Sequence, residues 1–146
     1  MNAIKTVFLM GLLVALMVFI GNLYGGSEGA TMAFVLAMGM NFGSYWFSDK
    51  IVLAMHGARP IDRLEVPWLD ESVTQLAREA GVPKPRLYLV DSPQPNAFAT
   101  GRSPAHAAVA VNSGLLRMMT RDEVEGVLAH EIAHIRNRDT LIATIA

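Results

Sequence analysis

The chain has 146 residues, a net charge of −1, 52% hydrophobic residues and no cysteine. This length and composition fit one modest domain joined to a very apolar segment. The absence of cysteine excludes disulfides and thiolate metal ligands within these residues, and the near-zero net charge gives no argument for nucleic acid as a partner. A metal site here would therefore use His, Asp or Glu.

The N-terminal third carries almost no charge, since only Lys5 and Glu28 are charged among the first 48 residues. Two apolar runs, residues 6–24 and 30–47, are separated by the turn sequence GGSEG. At about 1.5 Å per residue, each run nearly spans a hydrocarbon core of ~30 Å. We therefore predict a transmembrane helical hairpin in residues 1–55, with the lipid bilayer as its partner.

The charges beside these runs predict an orientation. Lys5 followed by an apolar stretch also opens a signal peptide, but the second apolar run favours a membrane hairpin. The link between the runs has no Lys or Arg, whereas Lys50, Arg59 and Arg63 follow the second run. By the positive-inside rule we expect a multi-pass cell-membrane protein with its N-terminus and residues 56–146 on the cytoplasmic side.

Residues 56–146 begin with a linker, HGARPID, and then alternate between helical and β patterns. In PWLDESVTQLAREAGVPKP the apolar residues recur at helical spacing, and Gly81 is of the type that follows a helix end. RLYLV is predicted as a strand, NAFATG and AAVAVN as β segments joined by the turn RSPAH, and SGLLRMM as a short helix. The sequence thus predicts an α+β fold, in which a helix and a small hairpin-type sheet precede a second long helix.

That second helix contains the motif HExxH, in VLAHEIAHIRNRDT at residues 127–140. It is predicted to be helical because TRDE, from Thr120 onward, fits a capping box. On a helix, His130 and His134 point to the same side and Glu131 lies beside them. The spacing therefore predicts two ligands of one metal ion.

The chemistry that uses HExxH is zinc-assisted hydrolysis. His130, His134 and a third ligand would hold one Zn²⁺ and leave a position open for water. Glu131 would be the general base for attack of the zinc-bound water on a peptide carbonyl. The alternative is a pair of surface histidines on an amphipathic helix, and the ligand types do not distinguish zinc from Mn²⁺ or Co²⁺.

The stretch PKPRLYLVDSPQPNAFATGRSPAHAAVAVNSGLLRMMTRDEVEGVLAHEIAHIRNRD resembles the HtpX group of integral-membrane zinc metalloproteases, relatives of the CAAX prenyl proteases. The resemblance extends over the whole chain, including the two apolar runs. It implies a zincin-like (gluzincin) domain, polypeptide substrates, and an endopeptidase on the cytoplasmic side that acts in membrane-protein quality control on membrane or misfolded proteins.

The resemblance also implies a substrate-binding strand. An edge strand beside the zinc would pair with the substrate, so the backbone groups of Asn96, Ala97 and Phe98 would bind peptide with little sequence selectivity. Without the resemblance, NAFATG is better explained as a hairpin strand of small residues.

The third ligand is the missing part of this site. His56 and His106 are better explained as an interface and a turn histidine. Asp139 points away from the ion if the helix continues, so it would either hydrogen-bond a metal ligand or end the helix, or be only solvated. In HtpX-like proteins the ligand is a glutamate on a later helix, beyond further membrane spans. We therefore expect a fragment that ends at the start of a third span, at residues 141–146, and is inactive alone.

A second hypothesis is a catalytically silent, membrane-anchored interaction module that retains HExxH without a complete metal site. A hydrophobic hairpin with an adaptor domain and no metal is a third. Any further protease or chaperone partners are not predicted by the sequence.

Overall fold

The computed structural model describes residues 2–140, and the predicted third membrane span at residues 141–146 lies outside them. The helices are α1 (Asn2–Met55), α2 (Pro67–Ala80), α3 (Ser113–Met118) and α4 (Arg121–Asn137), with a short 3₁₀ helix at Pro104–His106. The strands are β1 (Arg59–Pro60), β2 (Arg86–Val90), β3 (Ala97–Thr100) and β4 (Ala108–Asn112).

Helix α1 is interrupted at one residue, Gly26, whose backbone has φ 58° and ψ −146°. The Asn41 Nδ2 donates a hydrogen bond to the Met10 carbonyl oxygen at 3.3 Å. A straight helix would separate these residues by about 46 Å, at 1.5 Å for each of 31 steps. The chain therefore folds back at Gly26, and the two arms of α1 lie side by side.

Small residues let the two arms of α1 approach closely near the reversal at Gly26. A Cβ added at Gly21 would lie 2.6 Å from the Ala33 Cβ and would also meet the Gly29 carbonyl. Contacts of this kind between small residues allow two helix backbones to pack directly against each other. The predicted turn GGSEG is thus reduced to a single non-helical residue, because glycine at position 26 adopts a positive φ at little cost.

In residues 2–140, the segment Val7–Met55 of α1 is the helical stretch that is long and apolar enough to cross a membrane. Its helical conformation continues eight residues past the predicted boundary at Phe47. The extension buries Ser48 and Asp49 and carries Leu53 to the sheet. The end of α1 is therefore part of the folded domain.

The sheet has four strands in the order β1-β2-β4-β3. Strands β1 and β2 are antiparallel, β2 and β4 are parallel, and β3 and β4 are antiparallel. The prediction of a hairpin-type sheet is therefore incomplete, because β1 lies within the supposed linker and β2 pairs in parallel across the sheet. Two residues that include proline give no alternating pattern, and parallel pairing between distant segments leaves no local signal.

Both faces of the sheet are covered. On one face α2, α3 and α4 supply the main core, and on the other face the end of α1 packs with Tyr88 and Phe98. Strand β4 is buried at every position because it lies in the middle of both layers. The main core consists of Leu69, Val73, Leu87, Ala97, Ala107, Val109, Val111, Leu115, Val124, Leu128, Ile132 and Ile135.

The predictions for the two longer domain helices are confirmed. Gly81 ends α2 in the left-handed conformation with φ 69°. Helix α4 begins with the predicted capping box, in which the Thr120 side chain accepts from the Glu123 N–H and the Glu123 carboxylate accepts from the Thr120 N–H. Because α4 buries four apolar side chains against the sheet and α2, its opposite surface remains available for the HExxH side chains.

Candidate active site

The two motif histidines lie together on the outer side of α4. The His130 Nε2 and the His134 Nε2 are 3.1 Å apart, and the ring planes meet at 86°. His130 is exposed and His134 is half-buried, so both nitrogens remain accessible from solvent. The spacing of one helical turn has therefore brought two imidazole nitrogens to a single point, as the sequence predicts.

This pair fits a tetrahedral metal such as zinc. Two nitrogens bound at about 2.0–2.1 Å with tetrahedral angles lie about 3.3 Å from each other, close to the observed distance. Within residues 2–140, however, no group of three or more His, Cys, Asp or Glu side chains is arranged to hold a metal ion. These residues therefore offer two candidate nitrogen ligands and not a complete set.

Asp139 contacts the other nitrogen of His134. Its Oδ2 lies 3.4 Å from the His134 Nδ1. The expectation that Asp139 points away assumed that the helix continues, but α4 ends at Asn137 and Arg138 takes the left-handed conformation with φ 59°. This turn brings Asp139 back toward the helix, where a carboxylate can fix the tautomer and the orientation of a ligating imidazole.

The remaining histidines are used elsewhere. The His56 Nδ1 lies 2.9 Å from the Val52 carbonyl oxygen, and its ring centroid is 4.6 Å from that of Phe98. The His106 Nδ1 lies 2.9 Å from the Ser103 Oγ, within the turn that precedes β4. The contact of His106 agrees with the turn role expected of it, and the interface role expected of His56 stays a prediction.

Strand β3 lies at an edge of the sheet, with β4 as its neighbour. Just before β3, the Asn96 carbonyl oxygen accepts a hydrogen bond from the Asn112 N–H at 2.9 Å. Backbone groups along an antiparallel strand alternate between the partner and the opposite side. Because the backbone groups of Asn96 point to β4, those of Phe98 point to β4 too. The backbone groups of Ala97 and Ala99 point to the outer edge.

An independent contact supports this alternation. The Ala99 N–H donates to the Glu131 Oε2 at 3.0 Å, so it points away from β4 and toward α4. Of the three predicted substrate-binding residues, Ala97 therefore has its backbone on the outer edge, whereas Asn96 and Phe98 are directed to β4. The outward direction of the Ala99 backbone groups was not predicted, because the sequence alone does not fix which alternate residues face the edge.

The same contact positions Glu131. Its carboxylate lies between the edge strand and the surface that carries the two histidines, and the side chain is half-buried. Helix α4 thus presents two candidate nitrogen ligands and one carboxylate next to a strand in which the backbone groups of Ala97 and Ala99 are directed outward. This arrangement combines a candidate metal centre, a candidate base and a strand edge able to pair with an extended peptide.

The sequence profile of peptidase family M48 matches residues 63–146, which is more than half of the chain. This chain belongs to peptidase family M48. The match includes strands β2 to β4 and the HExxH helix, so the family assignment rests on the residues that build the site.

Curated relatives of this M48 chain are similar along almost all of it. The protein called Protease HtpX homolog of Sulfurihydrogenibium sp. is 57% identical over 145 residues, covering 99% of the chain and 49% of the relative. The proteins of that name from Thermodesulfovibrio yellowstonii and Aquifex aeolicus are 53% and 59% identical, covering 100% and 90% of the chain and 52% and 43% of the relatives. The resemblance to the HtpX group is confirmed, and the chain spans about half the length of these relatives.

Proposed function

We propose that the protein is a membrane-embedded, zinc-dependent endopeptidase. The observation that carries the proposal is the convergence of the His130 and His134 nitrogens on the same helix surface as Glu131, which touches an edge strand. Membership of peptidase family M48 supports the peptidase class and does not favour a catalytically silent module. We propose a glutamate outside residues 2–140 as the third ligand.

Each residue of the site has a distinct task in this proposal. Zinc, when bound by His130, His134 and the third ligand, supplies Lewis-acid activation of water and of the peptide carbonyl. Glu131 accepts the proton of the attacking water and passes it to the leaving amine. Asp139 orients the His134 imidazole through its Nδ1.

The substrate is an extended polypeptide that adds a strand to β3. The backbone groups of Ala97 and Ala99 would pair with it, and their methyl side chains leave room for a close approach. Because recognition through the backbone reads little side-chain information, the enzyme would cleave many unfolded or membrane-protein segments. This breadth suits a role in protein quality control.

The two arms of α1 would cross the membrane as a hairpin. The fold at Gly26 and the close approach of Gly21 to Gly29 support two adjacent spans. Basic residues follow the second arm, which favours a cytoplasmic position for the peptidase domain. Since the end of α1 also packs on the sheet, the domain would be held close to the membrane surface.

The test is proteolysis by the full-length protein in detergent, measured on an unfolded protein substrate. Glu131→Gln should lose activity by about 100-fold or more while still binding zinc, because only the base is removed. Glu79→Gln, an exposed carboxylate on α2, is the matched control and should retain activity. Full activity of Glu131→Gln would refute the assignment of Glu131 as the base.

A further inference from the structure

A cavity lies where the last turns of α1 meet the sheet domain. It has a volume of about 600 Å³, and its polar lining includes Asp49, Lys50, Arg86, Arg102 and His106. This cavity is formed by the end of the apolar segment, strand β2 and the turn between β3 and β4. It contains none of the candidate catalytic or metal-binding residues.

The cavity has an excess of positive charge. Three of the lining residues, Lys50, Arg86 and Arg102, are positively charged at neutral pH. Asp49 is the one carboxylate in the lining. Asp49 is buried and forms an ion pair with the Arg86 guanidinium. The charges of Lys50 and Arg102 are therefore left to attract an anion.

Arg102 is held in a fixed orientation. Its Nη1 donates to the Trp46 carbonyl oxygen at 3.1 Å, and its guanidinium carbon lies 4.4 Å from the centroid of the Trp46 ring. Stacking and one hydrogen bond restrict the side chain while leaving other N–H donors of the guanidinium for a ligand. A planar, oriented guanidinium of this kind is suited to bind the oxygens of a phosphate.

The depth of the cavity along α1 indicates the source of the anion. Trp46 ends the second apolar run together with Tyr45 and Phe47, and Lys50 follows within one helical turn. Aromatic side chains favour the membrane interface, and basic pockets beside spanning helices on the cytoplasmic side bind lipid headgroups. If residues 30–47 cross the hydrocarbon core, the cavity opens at the level of the phosphates.

We infer that this cavity binds the phosphate of an anionic phospholipid, with Lys50 and Arg102 as its main contacts. The inference rests on the membrane placement proposed above and is independent of proteolysis. A bound headgroup would join the end of α1 to the turn after β3 and so fix the domain against the membrane.

The experiment is native mass spectrometry of the full-length protein in neutral detergent, titrated with phosphatidylglycerol or phosphatidylcholine of the same acyl chains. We expect one phosphatidylglycerol retained at concentrations where phosphatidylcholine is not. Lys50→Gln/Arg102→Gln should weaken phosphatidylglycerol binding by about thirtyfold, since each basic residue contributes about one kilocalorie per mole near an anionic surface. The control pair Arg63→Gln/Arg117→Gln removes the same charge elsewhere and should have little effect.

One further variant, the control pair and a soluble competitor guard against misreading a loss of lipid. Lys50→Arg keeps the charge at position 50 and leaves the stacked Arg102 in place, so it should retain the lipid, whereas a lipid loss as large as in the glutamine pair would contradict the site. Equal weakening in the control pair would show diffuse attraction and overturn it. Displacement by glycerol 1-phosphate at the same concentration as the lipid would assign the site to soluble phosphates instead.

Resistance of the wild-type protein to extraction from membranes by alkaline carbonate separates this inference from the membrane proposal. An extractable protein would overturn both. A retained protein without preference for phosphatidylglycerol would overturn the lipid site alone.

Discussion

The Glu131 Oε2 accepts a hydrogen bond from the Ala99 N–H at 3.0 Å. This contact joins the residue predicted to act as base to the strand predicted to bind substrate, which lies 32 residues earlier. The Ala99 N–H is also a donor that an added substrate strand would use. Substrate binding and release of the Glu131 carboxylate are therefore expected to occur together.

The register of β3 gives a prediction about two neighbouring residues. Ala99→Pro removes an outward N–H from an edge strand, where proline is tolerated, so substrate binding should weaken while the fold persists. Phe98→Pro removes an N–H directed to β4 and should destabilise the domain by about 1–3 kcal/mol. Peptidase assays and thermal unfolding of both variants in the full-length protein would check this. Destabilisation by Ala99→Pro, together with a Phe98→Pro variant that stays folded and loses only substrate binding, would show that the register is wrong.

Asp139 should raise zinc affinity through His134. Asp139→Asn removes the negative charge beside the His134 Nδ1 and should weaken zinc binding by about 10–100-fold. Competition with a chelator of known affinity measures this change. Asp122→Asn, in the first turn of α4, provides the control, and equal zinc affinities for wild type and Asp139→Asn would remove Asp139 from the site.

A contact between α2 and α4 should make stability depend on pH. The pKa of Glu125 lies below its ordinary value, first because the Ser72 hydroxyl donates to it and then because Arg121 does. A carboxylate whose pKa is lower when folded stabilises the fold above its unfolded pKa, and this stability is lost as the pH falls through the folded value.

Ser72→Ala removes the larger of these contributions. The variant should melt below wild type at pH 7, and the difference should shrink as the pH is lowered toward 3, because protonation of Glu125 removes the charge that the Ser72 hydroxyl stabilises. Ser113→Ala, at the start of α3, serves as a control without a contact to Glu125. A difference in melting temperature that stays constant between these pH values would contradict the assigned cause.

The fold of α1 can be tested by cross-linking. Cysteines introduced at Met10 and Asn41, in a background without other cysteines, should form a disulfide within one chain under oxidation, because the Asn41 side chain reaches the Met10 backbone across the arms. Cysteines at Met10 and Thr31 are the control and should stay reduced. Electrophoresis with and without reductant distinguishes the outcomes, and cross-links only between different chains would contradict the fold.

The parts of the structure that follow from local chemistry were predictable from the sequence. The capping box at Thr120, the left-handed Gly81 and the buried stripe of α4 depend on residues within a few turns of one another. The meeting of His130 and His134 follows from the same helical spacing.

Features that depend on distant segments were not predictable in this way. The contact of Asp139 requires a left-handed Arg138, a conformation that sequence rules assign to glycine or asparagine. The role of Ala99 depends on the register between β3 and β4, and the cavity at Arg102 depends on how α1 packs against the sheet. Each is a tertiary relationship with no local pattern.

The most direct test of the metal centre is the zinc content of the full-length protein, purified at neutral pH, beside its His134→Ala and Glu131→Gln variants. We expect one zinc per chain in the wild type, the same in Glu131→Gln, and loss of the metal in His134→Ala, because the ligand is removed only there. Zinc retained in His134→Ala with unchanged affinity would contradict the assignment of α4 as the metal centre.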